Sequence, residues 1–322
     1  MRTEIQTVSR RSRLGRQLQH GDLIFWIVAL LFAVLVVVLL AAIIGVTWHG
    51  SAVARHAFGW QFLTTSSWNP VNGQFGALPA IYGTIVSSII ALLFAAPLGV
   101  MIAVFLNALC PMKLRMPIGM MVELLAAIPS VVYGMWGIFV FIPFFRSYIS
   151  TPLSKTVGSA VPLFAGPVNV GRGMLVAGII LAIMILPTIA AISRDVLAVV
   201  PNSQREAMLA LGATRWEVIR HAELPYARAG IVGGMMLGLG RALGETMAAT
   251  MVIGNTPKIH ASLFQPATTA ASLIASQLPN ANTDLHSSAL IYLALVLFLI
   301  TLVANSIARA LVWRVSRTGS GA

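Results

Sequence analysis

The chain has 322 residues, of which 58% are hydrophobic and 9% carry a charge. Its mean hydropathy is +0.87. A soluble globular protein needs more charged residues to cover its surface, so this composition excludes an ordinary soluble domain and indicates an integral membrane protein. The formal net charge of +12 would also fit a nucleic-acid-binding protein, and the placement of the basic residues decides between the two.

Six apolar stretches are long enough to cross a bilayer. Crossing takes about 20 helical residues, because lipid offers the backbone no hydrogen-bond partner. The six stretches cover residues 23–47, 80–106, 118–143, 173–192, 229–253 and 289–311. The apolar stretch 158–168 is too short and contains Pro162, Gly166 and Pro167, so a loop is predicted there. The sequence therefore predicts an all-α, polytopic membrane protein with six transmembrane helices.

The basic residues divide unequally between the two sides of this arrangement. Fifteen Lys and Arg residues fall on the side of the N-terminus, five fall on the opposite side, and Arg241 lies within a predicted span. The positive-inside rule assigns the richer side to the cytoplasm, so both termini are predicted to be cytoplasmic. DNA binding would require basic side chains clustered on one face of a soluble domain, so nucleic acid is not an expected partner.

The Arg-rich N-terminus followed by an apolar run also resembles a secretory signal peptide. The apolar region of such a peptide has about 7–15 residues, whereas this run extends from Leu23 to Val46. Trp26 and Trp48 bracket it as interfacial anchors would. We therefore predict a retained first span. Cys110 is the only cysteine, which excludes an intrachain disulfide.

The first outer loop, residues 48–79, is mixed polar and aromatic. Turn signals occur at Asn69-Pro70 and Asn72-Gly73. We expect this loop to fold against the membrane surface, either as a passive connector or as a docking surface.

The inner loop 194–228 is long, charged and rich in helix signals. Two segments, Ser203 to Glu206 and Thr214 to Glu217, fit the capping box that begins a helix. Gly212 lies where the first helix would need a left-handed residue to end, and Leu224-Pro225 is predicted to end the second. Such a pair of short helices suits a surface that another protein grips; the alternative is a hairpin that only links two spans.

The same loop resembles the EAA loop of ABC importer permeases. That pattern is E-A-A, three residues, G, nine residues, I, one residue and L-P. Glu206, Ala207, Gly212, Leu224 and Pro225 match it at every spacing. Met208 and Ala222 depart from it in identity. The resemblance implies the type I ABC importer permease fold, with cytoplasmic coupling helices that dock on an ATP-binding subunit.

Three further runs are similar to the phosphate-specific transport (Pst) permeases. They are Phe75 to Pro79, Ile128 to Gly134 and Gly240 to Ala248, and the first outer loop is similar to that of the C-type subunit. The resemblance implies a permease subunit of a phosphate importer in the bacterial inner membrane. The implied partners are an A-type permease subunit, an ATP-binding subunit dimer, a periplasmic phosphate-binding protein and membrane lipid.

With this resemblance, the chain divides into five predicted parts. They are a cytoplasmic tail at 1–22, the first span at 23–47, a periplasmic loop at 48–79, a permease core at 80–313 and a cytoplasmic tail at 314–322. No residue pattern suggests catalysis. No Lys follows a Gly, so the phosphate-binding loop of an ATPase is absent from the sequence, and the six His show no metal-ligand spacing. We expect no cofactor on this chain, with ATP and Mg²⁺ on the partner ATPase.

Three ionisable residues lie within the predicted spans, namely Glu123, Arg241 and Glu245. A charge at the bilayer centre costs roughly 2.5–3.5 kcal/mol even on insertion scales, so such residues are usually functional. At 100° per residue, Arg241 and Glu245 share a helix face with Gly234 and Gly238. A guanidinium matches phosphate oxygens with a planar fork of donors. We therefore predict that these residues line a phosphate path.

The roles of the two carboxylates stay open at this point. Glu245 could orient Arg241 through an i, i+4 pair, donate to phosphate when protonated, or close a purely structural ion pair with Arg241. Glu123 could line the path or only bond to a neighbour. Two other classes of function also remain: an ion-coupled secondary transporter that uses Glu245 and Glu123, and a regulatory membrane scaffold. Secondary transporters commonly contain internal repeats, and none is visible here.

Overall fold

The computed structural model describes residues 20–166 and 171–317. Most of the predicted N-terminal tail, the end of the C-terminal tail and Pro167 of the predicted loop lie outside these ranges. Within them, all the regular secondary structure is helical, apart from isolated bridges such as that between Asn69 and Gln74. The chain forms two compact units, Met1–Gly50 and Ser51–Ala322.

The first unit contains one long helix, α1, which covers His20–Gly50. Its side chains are apolar around the whole circumference from Phe25 to Val46, as expected of a membrane span. The hydroxyl of Thr47 donates to the Ile43 carbonyl at 2.8 Å, which satisfies this polar group within the helix.

The second unit contains fourteen helices in the described part of the chain. They are α2 (Ala52–Phe58), α3 (Gln61–Thr64), α4 (Leu78–Val104), α5 (Met112–Ala127), α6 (Ser130–Trp136), α7 (Ile142–Phe145), α8 (Thr151–Thr156), α9 (Met174–Ala198), α10 (Asn202–Ala210), α11 (Arg215–Val218), α12 (Leu224–Gly244), α13 (Met247–Val252), α14 (Ala270–Gln277) and α15 (Asp284–Arg317). Short 3₁₀ turns occur at Pro162–Phe164 and Leu278–Asn280.

Four π-helical turns join or extend these helices without a break. Phe105–Leu109 extends α4, Gly137–Phe141 and Arg146–Ser150 join α6, α7 and α8 into one segment, and Ile219–Glu223 joins α11 to α12. A π turn inserts one extra residue into a helix, so it changes the facing of the side chains while the helix continues.

Five helical segments are long and apolar enough to cross a membrane among the residues described. They are Phe25–Gly50, Leu78–Leu109, Ser130–Thr156, Met174–Ala198 and Asp284–Arg314. The predicted all-α, multi-pass architecture is thus confirmed. The third of these segments begins later than the predicted span 118–143.

Two of the predicted spans are interrupted by extended residues. The span predicted at 118–143 divides at Ile128-Pro129, with ψ of 128° and 140°. Proline disfavours a helical conformation in the preceding residue and has no N–H to donate, which accounts for this break. The span predicted at 229–253 divides after Gly244, where Glu245 has ψ of 124°.

The core of the second unit is α9, which packs against α4 on one side and α12 on another. Ile180, Ile185 and Ile189 of α9 are fully buried. On α12, a Cβ at Gly230 would lie 2.5 Å from Val196, and a Cβ at Gly238 would lie 2.9 Å from Ile189. The glycines therefore let the two backbones approach closely, which is how helices associate where lipid removes the hydrophobic driving force.

We expect Gly238→Leu to destabilise the chain, because its side chain would overlap Ile189. Overpacking of this kind costs about 1–3 kcal/mol. Gly233→Leu is a matched control, since it lies on the same helix with no atom within 4 Å of its Cβ position. The thermal unfolding midpoint in detergent should fall by several degrees for Gly238→Leu only. An equal fall in both variants would contradict the packing role of Gly238.

Candidate functional site

Arg241 lies in the last turn of α12, just before the helix is interrupted. Its side chain is exposed, and so is Gly244, which has no atom within 4 Å of its Cβ position. The glycines that share its predicted face, Gly234 and Gly238, are buried against α9. Arg241 therefore follows the part of α12 that packs against α9, and its guanidinium is accessible.

Glu245 is the extended residue at the interruption. Its Oε1 accepts a hydrogen bond from the Ala248 N–H at 3.3 Å, so the carboxylate holds the start of α13. No ion pair joins it to Arg241 among the residues described. The Glu245 carboxylate is directed toward the start of α13 and not toward the preceding turn of α12.

The other interruption, at Ile128-Pro129, lies close to this one. The Tyr133 hydroxyl reaches back across it and donates to the Leu125 carbonyl at 2.8 Å. Arg241 lies one turn before Glu245, at the other interruption. At Gly134, an added Cβ would lie 3.3 Å from the Ala248 Cα, so α6 and α13 are in close contact. Two interrupted helices thus lie side by side next to Arg241.

Glu123 is not part of this arrangement. Its Oε1 lies 2.7 Å from Nη2 of Arg194, near the end of α9, and the same Nη2 lies 3.1 Å from Asp195. The Arg194 carbonyl accepts a hydrogen bond from Asn107 Nδ2 at 2.7 Å, and Arg115 donates to Asn107 Oδ1. The structure thus pairs Glu123 with a neighbouring helix and does not bring it to Arg241.

The loop that follows α9 begins with α10. This helix starts at Asn202 after Pro201, and no described side chain caps it, so the capping box predicted at Ser203 and Glu206 is wrong. Pro201 provides the start because its ring fixes φ near the helical value, which places Ser203 inside the first turn. Glu206 and Ala207 of the EAA pattern are both exposed.

Gly212 ends α10 as predicted. Its φ is +83°, in the left-handed region. The Ala213 N–H donates to the Met208 carbonyl at 3.1 Å, and the Gly212 N–H donates to the Leu209 carbonyl at 3.0 Å. These two bonds form a Schellman motif, which satisfies carbonyls that would otherwise have no partner at the helix end.

The second predicted capping box, at Thr214 and Glu217, is confirmed. The Thr214 N–H donates to Glu217 Oε2 at 2.7 Å, and the Glu217 N–H donates to the Thr214 hydroxyl at 3.4 Å. The bonds from the Thr214 backbone and hydroxyl hold the pKa of Glu217 below its ordinary value. The cap is therefore present at neutral pH and is lost only as the pH falls through this lowered pKa.

Leu224-Pro225 does not end the second helix, contrary to the prediction. The helix passes through the π turn Ile219–Glu223 directly into α12, with Pro225 in the first turn of α12. Proline is tolerated there because the π turn changes the hydrogen-bonding pattern from i→i−4 to i→i−5. The N–H that proline lacks falls at this change of pattern, in the first turn of α12. Leu224 is half-buried and Pro225 exposed. The loop helix and the span that carries Arg241 are thus one continuous helical segment, Arg215 to Gly244.

An ion pair inside the loop was missed from the sequence. Arg205 Nε of α10 lies 2.7 Å from Glu223 Oε1 of the π turn, and Glu223 is only 4% exposed. Arg205 Nη2 also donates to the Leu197 carbonyl, near the end of α9, at 3.1 Å. One side chain thus ties α10 to both helices that the loop connects. Nothing in the sequence pairs these two charges, because only the fold of the loop brings them together.

The inner loop 194–228 exposes large apolar side chains. Leu211 is 85% exposed and Trp216 is 61% exposed. Exposed apolar side chains of this kind are typical of surfaces that contact another protein or a membrane.

Comparison with known proteins agrees with these features. Residues 95–317 match the family described as binding-protein-dependent transport system inner membrane component. The chain is 49% identical to the phosphate transport system permease protein PstC of Mesorhizobium japonicum, over 97% of this chain and 96% of the relative. It is 46% identical to the protein of the same name from Pasteurella multocida, over 92% and 93% of the two chains.

A solved structure shares the fold. A bacterial alginate ABC transporter, determined in complex with an alginate pentasaccharide-bound periplasmic protein, contains a chain that matches with a TM-score of 0.60. The match has 17% identity and covers 92% of this chain and 98% of that one. The protein is a multi-pass inner membrane protein, and it belongs to the binding-protein-dependent transport system inner membrane component family and, within it, to the PstC phosphate transport system permeases.

Proposed function

We propose that this chain is the membrane permease subunit of an ATP-dependent importer of inorganic phosphate, with Arg241 in the translocation path. One observation carries the proposal: an accessible guanidinium lies beside two helix interruptions, and the continuous helical segment that carries it, Arg215 to Gly244, also forms the second half of the loop with the EAA pattern. The identity of 49% to a phosphate permease supports phosphate as the substrate.

Arg241 suits this role because its charge cannot be left in lipid. The accessible guanidinium must face either a water-filled path or a second polypeptide. A guanidinium stays charged at every physiological pH and binds two phosphate oxygens at once, which a single ammonium does less specifically. Interrupted helices near the membrane centre are typical of substrate sites in transporters, because freed backbone groups are tolerated where they line a cavity.

The two carboxylates have different proposed roles. Glu245 borders the path and holds the start of α13, and it would repel phosphate unless it is protonated and donates to a phosphate oxygen. Glu123 was predicted to line the path, but its pairing with Arg194 favours the structural alternative over direct phosphate contact.

The loop between α9 and α12 is the proposed docking element for an ATP-binding subunit. Glu206, Ala207, Gly212, Leu224 and Pro225 are the residues proposed to build it. A rigid push on α11 would pass through the π turn to α12, because the helical hydrogen bonding continues between them. The chain itself is then non-catalytic and holds no cofactor, and ATP with Mg²⁺ is hydrolysed on a dimer of the partner.

The remaining parts of the transporter follow from the same proposal. A single chain of this size encloses too few spans for a complete path, so an A-type permease subunit is the proposed second half. A periplasmic phosphate-binding protein delivers the substrate. The distribution of Lys and Arg supports a cytoplasmic location for both termini.

Arg241→Gln should abolish ATP-dependent phosphate uptake while assembly with the ATP-binding subunit is kept, because the side chain is exposed and packs no core. Uptake is measured in vesicles that contain the reconstituted complex, and assembly by co-purification. Uptake at the wild-type rate would exclude Arg241 from the path. Uptake by the wild type that follows a proton gradient without ATP would instead indicate a secondary transporter.

Gly212→Val should weaken co-purification with the ATP-binding subunit, because a β-branched residue at a φ of +83° strains the turn after α10. Gly212→Asn is the matched control, since Asn adopts left-handed conformations more readily. No atom lies within 4 Å of the Cβ position, so a steric clash is not the cause. Equal binding by the Val variant and the wild type would rule out a docking role for this turn.

Arg205→Ala should lower the amount of phosphate transported per ATP hydrolysed. Without Arg205 the buried Glu223 loses its counterion, and its Oε2 has no donor among the described residues, so the loop loosens from both helices. A loss of about 1 kcal/mol in the coupled conformation corresponds to roughly fivefold. Uptake and ATP hydrolysis are measured in the same vesicles.

Arg220→Ala provides the control for this experiment, because Arg220 is an exposed arginine of the same loop. It should leave the ratio of phosphate to ATP unchanged. An unchanged ratio in Arg205→Ala as well would show that the ion pair has no part in coupling.

A further inference from the structure

A short hairpin precedes α4 in the second unit. The Asn69 N–H donates to the Gln74 carbonyl at 2.7 Å, and the Gln74 N–H donates to the Asn69 carbonyl at 3.1 Å. Asn69 Oδ1 accepts from the N–H groups of Val71 and Asn72 at 3.0 and 3.3 Å, and Gly73 takes a left-handed φ of +64°. The side-chain bonds of Asn69, the left-handed Gly73 and the backbone hydrogen bonds thus favour the same conformation. The tip of the hairpin is therefore held in one conformation before any partner binds.

The base of the hairpin is held by buried aromatic contacts. Trp68 is buried and its Nε1 donates to Gln277 Oε1 of α14 at 2.7 Å. Phe75 meets Trp68 edge-on at a centroid distance of 5.0 Å and stacks on His286 of α15 at 5.2 Å. The hairpin is therefore fastened to two helices of the core and does not move as a free loop.

The tip of the hairpin exposes an apolar side chain. Val71 is 93% exposed, and with Pro70 it forms one wall of a cleft of 380 Å³. The facing wall is built from neutral polar residues, including Asn280, Asn282 and Thr283. No Asp, Glu, Lys or Arg of the described chain lines this cleft. A rigid apolar tip beside neutral amides and hydroxyls is suited to contact with a protein surface.

The hairpin lies at the end of the unit opposite the loop with the EAA pattern. Helix α4 starts directly after the hairpin at Leu78, and its π-helical extension reaches Asn107, which bonds to Arg194 near that loop. A helix of 27 residues spans about 40 Å. If the loop docks on an ATP-binding subunit inside, the hairpin faces the outer side, where a soluble protein approaches. The polar side chains of Asn69, Asn72 and Gln74 around Val71 disfavour insertion of the tip into lipid.

We infer that the hairpin 68–75 and its cleft are the docking site for the soluble substrate-binding protein, and that Val71 enters a small apolar pocket on that partner. This inference rests on the proposed function, in which a binding protein delivers phosphate. The cleft contributes hydrogen bonds from its amides and hydroxyls. Since the surface is uncharged, this contact depends little on ionic strength.

The test is ATP-dependent phosphate uptake by the reconstituted complex as a function of the concentration of phosphate-loaded binding protein. Val71→Arg places a long charged side chain at the tip without touching the core. The half-saturating concentration should rise about tenfold or more, as for loss of a central interface residue, and the maximal rate should stay at the wild-type value. Val71→Ile keeps the apolar tip and should behave as the wild type.

Two results would overturn the inference. One is an uptake curve for Val71→Arg that coincides with the wild-type curve. The other is a lower maximal rate at an unchanged half-saturating concentration, which would show that the hairpin acts on transport and not on docking. If the wild-type complex itself shows no uptake that depends on ATP and binding protein, the proposed function fails, and that outcome is distinct from both.

Discussion

The close approach of α12 to α9 is the contact on which the rest of the arrangement depends. Gly230 and Gly238 leave room for the side chains of Val196 and Ile189, which pack directly against the α12 backbone. Lipid is as apolar as the helix surfaces, and such packing therefore supplies much of the association energy. This contact fixes two distant features at once: the loop that enters α12 at one end, and Arg241 at the other. A displacement of α12 along α9 would move both together.

The neighbourhood of Arg241 combines features that would be costly elsewhere in a membrane. A backbone N–H or C=O without a hydrogen-bond partner costs several kcal/mol of free energy when it faces hydrocarbon, and a guanidinium costs about as much. Part of the cost of the interruptions is offset locally, because Tyr133 donates to the Leu125 carbonyl and Glu245 accepts from the Ala248 N–H. Arg241 itself stays accessible. This combination of groups is unfavourable for stability and favours a polar passage, which is the physical basis for the proposed phosphate path at Arg241.

Features encoded by a few neighbouring residues could be predicted from the sequence, whereas those that depend on the fold could not. The left-handed Gly212 and the Thr214 cap are local, and both were correct. The start of α10 was misplaced because Ser203 and Pro201 are competing signals two residues apart. Pro225 was misread as a helix end, since sequence gives no warning of a π turn that accommodates it. The pairs of Arg205 with Glu223 and of Arg194 with Glu123 join separate elements, so only the three-dimensional arrangement reveals them.

We propose that α11 of the loop and the helix that carries Arg241 move as one body. The distance between spin labels at Arg215→Cys in α11 and Leu237→Cys in α12, with Cys110 replaced by Ser, reports on this motion. The segment between them is continuous, so at about 1.5 Å per residue the labels lie roughly 30 Å apart. The reconstituted complex should give one distance distribution, unchanged between the ATP-free and ATP-bound states. A distribution that shifts or divides on ATP binding would contradict rigid transmission through the π turn.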